Sequence, residues 1–487
     1  MRVLLTLAAL ALAVPATAKA PAASVPASAP DAATLADRVA AILAAAPQGT
    51  RFGLLVVDEA GREVLAVAPD QRFIPASNTK LFTTAAAYAL IPGIAAPDRD
   101  GGAGVALEGG NVVLYGRGGA RLSSAADCKV DCLSALADAV AARTRKVRDV
   151  IGDDTWFPDQ RWSPGMSWNN IGTDDGTAIS ALTLDDDTLT VAVLPTEPGR
   201  APVLSVPAYL TVQSSAVTAA AQGADRIGVE QPVNSRIVRF YGGIPAGAKP
   251  WTGRLGVDDP ALYAAWTLEQ MLRARGVRVN GKARARHRPV VSAQPSDPAL
   301  LTPASEPQWL ARTEPASLAD DVTEINKHSN NVHAEVLLRR LGRLTGDGSL
   351  ADGLAAAQGV FAAAGIARTG YDFSDGSGMS TYNRISPRAA VALLRWAAGQ
   401  PWGAAWKASL PVGGVDGSLV RRFAGTPLAG RIFAKTGTLN ASNGLSGYMV
   451  DARGRTLTFA AFANDVPGGG GATATIDAAL LAVAARP

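Results

Sequence analysis

Ser77 and Lys80 stand three residues apart in "PASNTKLFTTAAAYAL", residues 75 to 90, where an apolar run begins. If residues 78 to 90 form a helix, hydroxyl and amine share one face of its first turn. A serine hydroxyl is a poor nucleophile until an adjacent base takes its proton. A lysine serves as that base only if burial and positive neighbours bring its pKa toward neutrality. The pair therefore points to covalent acyl transfer through Ser77, with Lys80 as proton acceptor. Two later strings, "SNN" at 329 to 331 and "KTG" at 435 to 437, supply what this chemistry still needs. Ser329 would carry a proton toward the leaving amine, and Asn331 would donate to the substrate backbone and hold Lys80. Lys435 and Thr436 offer a charge and a hydroxyl to a carboxylate, and Lys435 is the positive neighbour expected to depress Lys80. Gly437 would leave the strand edge open to an extended substrate. Oxyanion donors would be the backbone amides of Ser77 and Thr438, aided by the partial positive charge of the helix start.

The elements that must position these groups come from both ends of the chain. "RFGLLVVD" (51 to 58) and "EVLAVAP" (63 to 69) flank the turn "EAGR" and read as a hairpin leading into the Ser77 helix. "RIFAKTG", "LSGYMVDA" and "TLTFAAFA", between 431 and 463, read as three more strands, followed by a terminal apolar helix. Between 315 and 400, "NNVHAEVLLRRLG", "ADGLAAAQGVFAAAG" and "SPRAAVALLRWAAG" repeat apolar residues at helical spacing. Strands from both termini with helices between them predict an α+β domain, one antiparallel sheet flanked by helices. The expected catalytic domain comprises 35–92 and 311–487, split by inserted β-rich material. The insert divides into one domain of 93–187 and 241–310 and a second, the most β-like, of 188–240. All three motifs lie outside it, so the chemistry is expected to be separable from the insert.

At 487 residues the chain is long enough for two to four domains at roughly 150 residues each. Hydrophobic residues make up 48% and charged residues 18%, which argues against broad disorder. Residues 1–18 have the layout of a secretory signal peptide, with Arg2, an apolar core and a small-x-small ending at Ala18. Residues 19–34 read as a flexible Pro- and Ala-rich lead-in. The mature protein is expected in the periplasm or another extracytoplasmic space, with no integral membrane segment. A formal charge of +4 is too small and scattered to suggest nucleic acid. Cys128 and Cys132 suit a local disulfide in an oxidising compartment, with free thiols the alternative. The three histidines make no ligand spacing with them, so no metal or other cofactor is expected.

Together and in this order, S-x-x-K, S-x-N and K-T-G are the signature of penicillin-binding proteins and class A β-lactamases. With "INKHSNNVHAE" (325 to 335), "DGSGMS" (375 to 380) and "GTAISALTLDDDTLTV" (176 to 191), the chain resembles the low-molecular-mass class C penicillin-binding proteins, the D-alanyl-D-alanine carboxypeptidase/endopeptidases. The long gap between Ser77 and Ser329 leaves room for the two inserted domains of that family. Met379 stands where the family usually has leucine, a volume-conserving change. The resemblance implies a serine β-lactamase/transpeptidase-like fold. It makes Ser77 the acyl-ester nucleophile, Lys80 the proton acceptor, Ser329 the proton shuttle and Lys435 a substrate-binding residue. It also implies peptidoglycan stem peptides and cross-linked muropeptides as substrates and β-lactams as inhibitors. Two other readings are a serine β-lactamase and a catalytically idle peptidoglycan-binding or β-lactam-sensing module. No E-x-x-L-N string follows Ser329 to supply a lactamase water base, and an idle pocket has no need of Lys80.

Overall fold

The computed structural model describes residues 34–223, 226–290, 306–469 and 471–485. The expected signal peptide and all of the lead-in except Thr34 lie outside the described residues. The central sheet runs in the order Ile432–Leu439, Ser442–Val450, Thr456–Asn464, Arg51–Val57, Glu63–Val67. Every pairing in it is antiparallel. Arg51–Val57 reads as an almost continuous apolar run because both faces of the sheet are covered. Leu54 and Val56 pack with the Leu35–Ala44 and Thr473–Ala484 helices on one side. Leu55 and Val57 pack with the helices of the middle segment on the other. Alternate side chains of one strand thus enter two different cores, as the pleat requires.

The helix that carries Lys80, Thr79–Leu90, is buried along its first nine residues and runs inside the second helical layer. Its polar residues are internally satisfied. The Thr84 hydroxyl donates to the Lys80 carbonyl at 2.7 Å and accepts from the indole nitrogen of fully buried Trp406 at 3.0 Å. Helices Leu318–His328, Asn331–Arg343, Leu350–Ala363 and Pro387–Ala398 complete the layer.

The inserted region holds a five-stranded mixed sheet in the order Ala283–Arg288, Val150–Pro158, Asn111–Tyr115, Gly104–Glu108, Trp309–Arg312. Two helices, Leu133–Arg143 and Pro260–Ala274, contribute to its hydrophobic core. Smaller sheets follow between 188 and 256. Two expected boundaries fall inside paired strands. Position 240 lies within Ile237–Pro245, and the division at 310/311 cuts Trp309–Arg312, which pairs with Gly104–Glu108. Composition marks where β-like sequence thins out, whereas strand partners decide where a unit ends. The two cysteines form a disulfide with Cα atoms 5.7 Å apart.

Trp406 fills the space beneath the Lys80 helix and also satisfies Thr84. Trp406→Ala is expected to cost about 3–5 kcal/mol of stability, measured as a lower urea midpoint, with Trp406→Phe losing less because it keeps most of the volume.

Candidate active site

Ser77 sits in a single 3₁₀ turn, Ala76–Asn78, that runs directly into the α-helix at Thr79. The preceding residue, Ala76, is left-handed with φ 48°, a conformation that non-glycine residues adopt at a cost. One turn later the Lys80 ammonium donates to Ser77 Oγ at 3.0 Å, to Asn331 Oδ1 at 2.6 Å and to the Ser377 carbonyl at 2.6 Å. Lys80 is wholly buried, and burial brings its pKa down to about 8. Negative charge on Asp375, Glu335 and Asp175 keeps it from falling further.

The "SNN" string is a break between two helices. Ser329 caps the end of Leu318–His328 with φ 63°, Asn330 caps the start of the next helix by accepting from His333 N at 3.1 Å, and Asn331 begins that helix. Neither of the outer two side chains is used in capping, so both reach the cleft. Ser329 Oγ accepts from Lys435 Nζ at 2.9 Å, and Asn331 meets Lys80. Lys435 lies on the Ile432–Leu439 strand, fully buried, and also donates to the Thr436 carbonyl at 3.1 Å. Its pKa lies well below the ordinary lysine value, first because of burial and second because of the charge on Lys80. Charge on Asp375, Glu335 and Asp175 favours the ammonium form of Lys80, and a charge on Lys80 disfavours a second one on Lys435.

Thr436 shares a hydrogen bond of 2.7 Å with Ser418, and Thr438 Oγ1 accepts a long one of 3.5 Å from Asn443. Gly437 has a reason that the sequence reading missed. A Cβ there would stand 2.6 Å from the Pro75 carbonyl and 2.7 Å from Asn78 Nδ2. Its absence lets the strand dock against the turn that bears Ser77. From the loop that begins at Asp375, Gly378, with φ +93°, comes closer still, because a Cβ there would lie 2.0 Å from the Ala76 carbonyl. The Ser77 turn is clamped between two glycines.

Sequence reasoning missed the support beneath Lys80. Glu335 accepts from the amides of Gly376 and Ser377, both at 2.9 Å, and from Arg339 at 2.8 Å. Asp375 accepts from Gly378 N at 2.9 Å and Asn383 Nδ2 at 2.6 Å. Burial, reinforced by Glu335, raises its pKa to about 6. These two carboxylates fold the "DGSGMS" loop so that the Ser377 carbonyl points at Lys80. The insert contributes as well, since Asn331 Nδ2 donates to the Asp175 carbonyl at 3.0 Å. A small cavity beside Asn331 is lined by Trp162 and Met166 of the insert and by Met379 of the loop. The separation of chemistry from insert expected from motif positions is therefore incomplete.

A hydroxyl, a buried lysine of lowered pKa, and a second serine–lysine pair facing it form a constellation suited to acyl transfer through a serine ester. On an antiparallel sheet flanked by helices, this defines a serine transpeptidase-like enzyme. Residues 35–486 match the family described as D-Ala-D-Ala carboxypeptidase 3 (S13). The D-alanyl-D-alanine carboxypeptidase of Actinomadura sp. (strain R39) is 33% identical over 433 residues, which span 84% of this chain and 76% of that protein. The crystal structure of penicillin binding protein 4 (dacB) from Haemophilus influenzae superposes with a TM-score of 0.77 at 22% identity, covering 91% of this chain and 97% of that one. A second structure of that protein, complexed with a β-lactam, gives 0.69 at 20% identity over the same shares. The chain belongs to the D-Ala-D-Ala carboxypeptidase 3 (S13) family and is a serine-type carboxypeptidase.

Because a Cβ at position 437 meets backbone that cannot swing away, Gly437→Ala should push the strand off the Ser77 turn. A displacement on the order of 1 Å lowers turnover about a hundredfold. D-alanine release should fall by that order while far-ultraviolet circular dichroism stays unchanged.

Proposed function

We propose that Ser77 attacks the carbonyl of the terminal D-Ala-D-Ala bond of a peptidoglycan stem peptide, forms an acyl ester and releases D-alanine. The observation that carries this reading is the 3.0 Å contact of the buried Lys80 Nζ with Ser77 Oγ. Neutral Lys80 takes the Ser77 proton. Ser329, bonded to Lys435 at 2.9 Å, hands a proton to the departing amine. The incoming carboxylate is held by Lys435 and Thr436, with Asn331 on the substrate backbone and the amides of Ser77 and Thr438 on the oxyanion. Lys435 is depressed in the free enzyme, so an arriving carboxylate restores its charge by favouring the protonated form. Binding the correct end of the substrate thereby sets the charge state of the site.

The same serine would open cross-linked peptides, whose scissile bond presents the same D-Ala carbonyl on a larger leaving group. It would also be acylated by β-lactams, a ligand class held by the Haemophilus influenzae protein. Water enters readily once small D-alanine has left, whereas an opened penicillin remains attached and obstructs it. Such substrates lie outside the cytoplasm, in keeping with the signal-like N-terminus. Among the described residues no helix is long and apolar enough to cross a membrane.

Intact protein treated with benzylpenicillin should gain one adduct mass, mapped to the peptide holding Ser77 and absent in Ser77→Ala; an adduct that survives the substitution would sink the assignment. Steady penicillin hydrolysis as fast as D-alanine release would favour a β-lactamase instead.

The acylation rate should climb about tenfold per pH unit up to pH 8, where Lys80 loses its proton, and level off above it. A rate that is flat from pH 6 to 9 would contradict Lys80 as the base. Lys80→Arg should abolish acylation because arginine keeps its proton. Lys435→Arg should retain part of it. Equal and total loss in both variants would remove the distinction between base and charge.

A further inference from the structure

The inserted region carries a dense basic surface that the chemistry at Ser77 does not use. Residues 145–148 and 278–284 meet at one end of the five-stranded sheet. Lys146 and Arg278 are paired across two short parallel strands. Arg278 N donates to the Arg145 carbonyl at 2.9 Å, and Gly281 N donates to the Arg148 carbonyl at 2.7 Å. These contacts gather six exposed cations at this end of the sheet: Arg145, Lys146, Arg148, Arg278, Lys282 and Arg284. Two acids border them, Asp149 and Glu269; Glu269 accepts from Ala283 N at 3.0 Å and pairs with Arg273 at 2.7 Å. Asp149 stands 3.3 Å from Arg284 and 4.0 Å from Arg148. The side chains of Lys146, Arg278 and Lys282 have no ion-pair partner among the described residues. Since the whole chain has a formal charge of only +4, this face is a local concentration of charge.

Its position relative to the cleft is informative. The strand Val150–Pro158 begins inside the basic face. The loop after it reaches the active-site loop, where Thr381 N donates to the Gly165 carbonyl at 2.9 Å and Ser380 Oγ donates to the Pro164 carbonyl at 2.6 Å. Nine extended residues span roughly 30 Å, so the basic face and the Ser77 cleft sit at opposite ends of one rigid strand. A partner held on the face leaves the cleft open.

We propose that this face docks the enzyme on anionic phospholipid headgroups at the membrane surface. Three observations favour a lipid surface over a soluble polyanion. The cations sit on short strands tied to a packed sheet and form a fixed cluster. Neither of the two described cavities is lined by any of them. Leu107, 40% exposed, lies beside the Gly109 and Gly110 turn, where Arg148 reaches Asn111 at 2.9 Å; it places an apolar side chain at the edge of the patch. Cations near an anionic bilayer each strengthen binding roughly fivefold, and the attraction is screened by salt within about 10 Å at 0.1 M.

The test is sedimentation of the full chain with vesicles of phosphatidylglycerol and phosphatidylcholine in equal parts, against phosphatidylcholine alone. The expected result is capture by the anionic vesicles only, release in 0.5 M salt, and weakening of about a hundredfold or more in K146E/R278E/K282E. D-alanine release by that triple variant should equal the wild type, because none of the three touches the cleft, and this also shows that the variant is folded. The neutral triple variant K146Q/R278Q/K282Q should fall between the two. Absence of capture at low salt, equal capture by neutral vesicles, or unchanged capture of the charge-reversed variant would overturn the proposal. So would tighter binding to soluble polyphosphate at the same phosphate concentration, which would assign the face to a polymer.

Discussion

Everything in the catalytic domain is arranged around one buried ammonium group. Removing a lysine charge from water is costly unless the protein supplies hydrogen bonds and opposite charge. Lys80 donates three hydrogen bonds, to a hydroxyl, a carboxamide oxygen and a backbone carbonyl, each supplied by a different segment of chain. Asp375, Glu335 and Asp175 provide the compensating charge at a distance. Had one carboxylate been in direct contact, the lysine would be locked in its charged form and useless as a base. With the carboxylates held back and only neutral acceptors touching Nζ, the proton is held loosely enough to be exchanged near neutral pH.

That arrangement demands unusual backbone on either side. Ala76 and Ser329 are both left-handed non-glycine residues; the first precedes Ser77 and the second accepts from Lys435. Strain of this kind persists only where surrounding structure holds it in place. Here the Ser77 turn is clamped by Gly437 and Gly378, while Ser329 is held between the end of one helix and the Asn330-capped start of the next. The central sheet, closed by strands from both ends of the chain, fixes the Lys435 strand against that turn. The strands and helices that meet at Ser77 therefore keep their register although long stretches of sequence separate them.

Much of this was legible in the residue order. The strands, the helix under Ser77 and the helix break at Ser329 all follow from periodicity and from short polar residues that end or begin helices. What escaped was set by contacts distant in sequence. Glu335 is spaced four residues from Asn331 on one helix face, so its approach to the site had a local signal. Asp375 had a weaker one, an acid opening a glycine loop. Asp175 had none, because its meeting with Asn331 depends on how the insert folds back. The lysine electrostatics also escaped, since the spacing of Lys80 and Lys435 says that two charges meet but not which one the carboxylates favour. The expected edges at 240 and 310 fall inside strands whose partners lie elsewhere along the chain, a pairing that composition does not signal.

The central claim is that the structure poises Lys80 as a base by burial while leaving it several neutral hydrogen-bond acceptors. Its most direct test is the proton itself. In protein labelled with ¹³C at lysine Cε, the Lys80 resonance, assigned by its loss in Lys80→Arg, should titrate with a midpoint near pH 8. It should move lower in Asp375→Asn, which removes a charge that favours the ammonium form. A Lys80 signal that titrates at the ordinary lysine value of about 10.4, unmoved by the change at Asp375, would contradict the account.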